Sequence, residues 1–266
     1  MKQLYFLHIP KTAGKHVSKC IKKSLDENNL KYYISTHFPN YNNFEDKVYV
    51  SIHAGTYPIL KNPNMDVATI IRNPVEARLS YFNFIYNMYL VDREEYSSIK
   101  NVKDKLSYYL FEDKNYSLHN NYQARFICNP ADERSFDVPQ FYKEHGFEML
   151  KEFNEGKAFT WFVENEKTSY SFAVQQITKF KIKNTLDSFE KFENNINKWF
   201  MENYKIEINF EKNIKTNESV CDYGDGKLYK TQDLMSLLSN DDIAQIIENN
   251  QIDYNLYKLI KDIENA

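Results

Sequence analysis

Apolar and polar positions along this chain fall into two rhythms, one of period two or continuous and one near 3.6. Tyr5-Phe6-Leu7-His8-Ile9 is an aromatic and aliphatic run of strand length, and Pro10 and Gly14 bracket a tight loop after it. Residues 15–29 place Val17, Ile21 and Leu25 on one face at four-residue spacing with lysines on the other, which predicts an amphipathic helix. Residues 31–36 and 47–53 are rich in β-formers and are separated by the turn-forming Pro39-Asn40-Tyr41-Asn42-Asn43. Val67-Ala68-Thr69-Ile70-Ile71 is almost continuously apolar and closes on Arg72, the pattern of a central parallel strand covered on both faces. Asn73-Pro74 suits a helix start, and 75–89 has helical spacing.

Beyond that point 92–105 mixes charges of both signs and reads as a surface loop, with a helix beginning near Val102. Helices are predicted over 119–128, 139–155, 166–179 and 188–204, and a buried strand over Ala158-Phe159-Thr160-Trp161-Phe162-Val163. Gly224-Asp225-Gly226 marks a turn, and 241–263 reads as a terminal helical region. No internal repeat or long linker interrupts the pattern, so one domain over 1–266 is expected. Strands alternating with helices predict an α/β fold on a mostly parallel sheet. In open sheets of that kind ligands bind beyond the carboxyl ends of the strands, where Pro10-Lys11, His53 and Arg72 all fall.

Composition narrows the chemistry. A net charge of -3 gives no general attraction to nucleic acid or an anionic membrane, so any anion site is local. The three cysteines, Cys20, Cys128 and Cys221, are odd in number and far apart, which suggests neither a disulfide framework nor a zinc site. The first strand starts at about Leu4, leaving no room for a signal segment, and no apolar run is long enough to span a bilayer; a cytoplasmic protein is expected.

A strand feeding a helix through a short loop is a ready anion site, because the first helical N–H groups lack intrahelical partners and sit at the positive end of the dipole. Lys11 adds a full charge. The Walker A pattern does not fit: its leading glycine would fall at Ile9, and His16 follows Lys15 where a Ser or Thr would hold magnesium. His53 has the right chemistry for a base near neutral pH. Arg72 at a strand end and Ser80 two turns into the next helix can converge on one anion.

The run His8-Ile9-Pro10-Lys11-Thr12-Ala13-Gly14 resembles the first signature of carbohydrate-type sulfotransferases that use 3′-phosphoadenosine 5′-phosphosulfate (PAPS). The stretch from Arg72 to Phe82 resembles their 3′-phosphate motif, an arginine with a serine eight residues on, and Ser51 to Leu60 resembles the histidine-bearing segment of the heparan sulfate 2-O-sulfotransferase-like group. That resemblance implies a three-layer P-loop-like fold, PAPS as donor, no metal, and a hydroxyl-bearing acceptor on a carbohydrate. It implies donor binding by Lys11, the amides of Thr12, Ala13, Gly14 and Lys15, the side chains of Arg72 and Ser80, and His16 as a further phosphate candidate. His53 and Lys11 become the catalytic pair.

Other positions have plainer readings. His8 is expected to be packed, and Glu76 and Arg78 to lie on the helix surface, with Arg78 a lesser phosphate candidate. Gln123 and Arg125 carry a structural, acceptor-side or ion-pair role; Lys212, Asn213, Lys215 and Thr216 fall where relatives place a lid. Two alternatives stand beside the sulfotransferase reading: a nucleotide kinase on a related P-loop fold, and a protein that binds PAPS or a nucleotide without catalysis.

Overall fold

A computed structural model describes residues 1–35, 44–52, 59, 62–113, 120–128, 166–210 and 220–266. Outside these lie His53, the expected turn at 39–43, helix at 139–155 and strand at 158–163, and Lys212, Asn213, Lys215 and Thr216.

Five parallel strands form the central sheet: β1 (Leu4–Leu7), β2 (Tyr32–Ser35), β3 (Tyr49–Ile52), β4 (Asp66–Ile71) and β5 (Ile182–Thr185), in the order β2-β3-β1-β4-β5. Successive side chains of a strand point to opposite faces, so β1 divides its residues between two cores. Leu4 and Phe6 join a cluster with Val17, Ile21 and Leu25 of helix α1 (Gly14–Glu27). Tyr5 and Leu7 join the opposite one, with Ala124, Ala173, Leu256 and Ile260. Both faces are thus covered by helices, which is why β1, β3 and β4 read as near-continuous apolar runs. This is the α/β arrangement expected, with helices, sheet and helices in three layers.

Between β4 and β5 come α2 (Pro74–Ile85), α3 (Glu94–Ser97), α4 (Val102–Ser107), α5 (Tyr122–Cys128) and α6 (Glu166–Lys179). After β5 follow α7 (Phe189–Tyr204), a small hairpin of β6 (Cys221–Asp222) and β7 (Leu228–Tyr229), and then α8 (Thr231–Met235), α9 (Asn240–Asn249) and α10 (Gln251–Asn265). α1 and α7 cover one sheet face; α5, α6 and α10 cover the other. A third cluster packs α2 against Tyr96, Tyr109, Tyr223 and α9.

Four expectations change in detail. The helix expected over 75–89 is α-helical only to Ile85 and continues as a π-helical turn, Tyr86–Leu90, closed by Val91 N–H donating to Tyr86 O at 3.0 Å. The loop expected over 92–105 contains α3, and α4 begins where Asn101 caps it through the amide of Asp104 at 2.8 Å. The terminal region breaks at Asn250, whose side chain turns back to donate to Ile246 O at 2.8 Å. β5 was not anticipated: four residues that include Lys183 and Asn184 are too short and polar to register as a period.

The chain leaves β1 toward β2 on one side and leaves β4 toward β5 on the other. The carboxyl ends of β1 and β4 therefore bound the switch point where open α/β sheets form their crevice. Thr69 Oγ1 donates to Leu7 O at 3.0 Å and ties the two strand ends together. Among the described residues, no helix is long and apolar enough to cross a membrane, and no group of three or more His, Cys, Asp or Glu side chains gathers as a metal ion would need. All three cysteines are buried and free of disulfides.

Candidate anion-binding site

The loop after β1 turns its carbonyls into the protein. Ile9 O accepts from Thr12 Oγ1 at 2.8 Å, Pro10 O from the Tyr122 hydroxyl at 3.1 Å and Lys11 O from Arg72 Nη1 at 3.3 Å. Ala13 O accepts from the amides of His16 at 3.0 Å and Val17 at 3.2 Å. A loop with its acceptors so engaged presents positive edges to the crevice. Lys11 and Ala13 have φ of 67° and 66°, a left-handed conformation costing about 1 kcal/mol or more for a residue with a side chain, and such strain gathers at functional loops. Gly14 is there because the His8 ring lies against it: a Cβ at that position would overlap the imidazole. His8 is packed as expected, stacked on Phe6 with centroids 5.8 Å apart.

α1 starts without a side-chain cap and without an acidic residue in its first turn. Lys15, its second residue, is exposed. Lys11, Lys15 and Arg72 therefore meet at the positive end of the helix dipole. Burial, with the charges of Lys15 and Arg72 beside it, pulls the Lys11 ammonium down to about 8. The lysine stays mostly protonated at neutral pH, in surroundings that make its charge costly.

Helical geometry arranges the opposite wall. Residues four apart share a face, so Glu76, Ser80 and Phe84 of α2 form one row. Glu76 accepts from Arg72 Nε at 3.1 Å, and the Lys11 ammonium sits 4.9 Å from the Phe84 ring centroid. Ser80 is buried between them in that row, and none of the described hydrogen bonds joins it to Arg72. The structure thus brings together Lys11, Thr12, Ala13, Gly14, Lys15 and Arg72, with Ser80 on the adjoining wall.

His16 lies elsewhere. It is buried beside Cys20, its ring 5.7 Å from that of Phe189 and 6.3 Å from that of Phe210. Arg78 is a correction: the helix-surface reading fails, because α2 is enclosed nearly all round and Arg78 is only 1% exposed, its guanidinium 4.9 Å from the Tyr109 ring centroid. Continuous enclosure erases the polar face that periodicity would have marked.

Gln123, buried at the start of α5, holds Arg72 by its backbone: it accepts from Arg72 N–H at 2.8 Å and donates to Arg72 O at 2.9 Å. Tyr122 and Phe84 were missed by the sequence reading. For Phe84 the spacing of 76, 80 and 84 was the available signal; for Tyr122 there was none. Against protein-family models and curated proteins alike, the chain finds no match.

Proposed function

We propose that this chain is a sulfotransferase that moves a sulfuryl group from PAPS to an acceptor hydroxyl on a carbohydrate. One observation carries the reading: Lys11, Lys15 and Arg72 converge on an uncapped helix start at the sheet's switch point, a cationic cluster that favours an anion beyond the Arg72–Glu76 pair. A donor with two separated anionic ends suits a site with two cationic stations. The amides from Thr12 to Lys15 take the 5′-phosphosulfate, and Arg72 with Ser80 takes the 3′-phosphate, fixing the donor's register by remote binding.

His53, one residue past β3 in the sequence, is the base in this reading. It takes the acceptor proton as the new sulfur–oxygen bond forms and the bond to the bridging oxygen breaks in line. Lys11 stabilises the negative charge that develops on that oxygen, which leaves as part of adenosine 3′,5′-bisphosphate. Beside Lys11, Phe84 and then Met88 and Tyr89 expose apolar surface, which suits the C–H face of a sugar ring.

The test is transfer of labelled sulfate from PAPS across a panel of saccharides, alongside calorimetric titration with adenosine 3′,5′-bisphosphate. Expected are labelled product and metal-independent bisphosphate binding, with turnover lost in Lys11→Ala and His53→Ala. Tighter binding of magnesium ATP than of the bisphosphate would replace the reading with a phosphotransferase on a related P-loop fold. Donor binding without product on any saccharide would leave a binding protein, and a fully active His53→Ala would remove the base.

A further inference from the structure

We propose that Gln123 and Asp253 are positioning residues for Arg72, forming a relay that lets the C-terminal helix fix the backbone from which the guanidinium reaches the anion loop. The ligand's identity here rests on the proposed function; the relay does not. Arg72 is the first residue past β4, where strand pairing no longer holds its peptide groups. The Gln123 carboxamide replaces that pairing, engaging both the N–H and the C=O of Arg72 as a neighbouring strand would.

Gln123 is itself held from the far side. Asp253 Oδ2 accepts from the Gln123 amide at 3.2 Å and from its Nε2 at 3.5 Å, while Oδ1 accepts from the Ala124 amide at 2.7 Å. The carboxylate thereby caps α5 from another helix. α5 returns the contact: Asn121 Oδ1, just before its first turn, accepts from the amides of Ile252 at 2.9 Å and Asp253 at 3.1 Å at the start of α10. Asn121 N–H also donates to Asn250 Oδ1 at 3.0 Å. Two helix starts cap each other, and Gln123 projects from that joint to the root of Arg72.

An acid at position 253 is costly. It sits on the apolar stripe with Leu256, Tyr257 and Ile260, 1% exposed, and burial pushes its carboxyl up to about 6 against the pull of two amides and Arg125. An apolar residue there would pack at less cost, so an acid at this place fits a demand for a fixed geometry. Arg72 then presents Nε to Glu76 and Nη1 to Lys11 O from an immobile backbone.

The experiment follows Arg72 itself. In the full chain, residue-resolved amide hydrogen exchange is compared among wild type, Gln123→Met, Asp253→Asn and Glu264→Gln, together with affinity for adenosine 3′,5′-bisphosphate. Gln123→Met keeps volume and deletes both bonds to Arg72. Asp253→Asn keeps shape but sets an N–H₂ donor against a backbone donor. Glu264 anchors the other end of α10, through Thr185 N–H at 2.6 Å and Asn184 Nδ2 at 3.0 Å, and lies outside the relay.

Expected are an Arg72 amide exchanging roughly tenfold faster and a bisphosphate affinity weakened about tenfold in the first two variants, with both readouts unchanged in Glu264→Gln. Wild-type exchange at Arg72 in Gln123→Met, or equal acceleration in Glu264→Gln and Asp253→Asn, overturns the relay. If the wild-type protein binds no bisphosphate, the functional proposal falls and the exchange rates still decide the relay.

Discussion

Two strand-loop-helix units of the same sheet end differently. After β4, the α2 start is closed by its own sequence: Asn73 Oδ1 accepts from the Val75 amide at 2.9 Å, Pro74 needs no partner for a missing N–H, and Glu76 sets a negative charge at the positive dipole end. After β1, the α1 start has no side-chain cap and no acid, and it gathers lysines there instead. One helix start is closed by its own side chains and the other is not, and that contrast is what the proposed anion site rests on.

The hardest blow to the open unit is Gly14→Ala. The new methyl overlaps the His8 ring, and overpacking of this kind costs about 3 kcal/mol, read as a shift in urea midpoint. His8→Ala combined with Gly14→Ala returns most of that loss; an equally unstable double variant sinks the steric account. Next comes Lys11→Ala, expected to weaken bisphosphate binding by about 2 kcal/mol, roughly thirtyfold, in calorimetric titration. Stability does not fall with it, since a desolvated cation among cations has gone.

The same lysine fixes two pH signatures. Affinity in the wild type falls as pH rises through about 8, because free Lys11 then loses the proton that attracts the anion. Stability moves the other way: between about 8 and 10.5 the unfolded chain binds a proton that native Lys11 has shed, so this group's contribution to unfolding free energy rises with pH. Lys11→Arg flattens both curves, and an unchanged affinity profile in that variant would assign the titration to another group.

On the closed unit, Asn73→Ala loses the cap and about 1 kcal/mol of stability in thermal unfolding, with bisphosphate affinity changed no more than about twofold. A large loss of affinity would mean that the two units are not separable. The smallest effect is Lys15→Gln. Removing the cation from the α1 dipole end adds about 0.3 kcal/mol of stability, and the affinity inflection of Lys11 moves upward, measured by titrating binding against pH.

Much of this was legible along the chain because it is local. The apolar run before Pro10, the four-residue spacing of Val17, Ile21 and Leu25, and the run that closes on Arg72 each declare an element through its own period. Less was legible where partners are distant. Gln123 read as a polar helix residue with several open roles, and its hold on Arg72 spans 51 positions. Asp253 was passed over, although an acid in register with Leu256, Tyr257 and Ile260 was a signal that a buried donor awaited it. Arg78 was misplaced because enclosure from several sides leaves no polar face to read.

Alone, the sequence marked β1 to β4, α1, α2, α6 and α7, and placed cations in the loops after β1 and β4, since propensity and periodicity act over a few residues. Tertiary structure alone decided that β1 and β4 lie side by side, that Arg72 consequently meets the Lys11 loop, and that α10 reaches Arg72 through Gln123. The physical reason is that strand order and helix docking are set by burying two sheet faces at once, a global condition that no short stretch of chain can express.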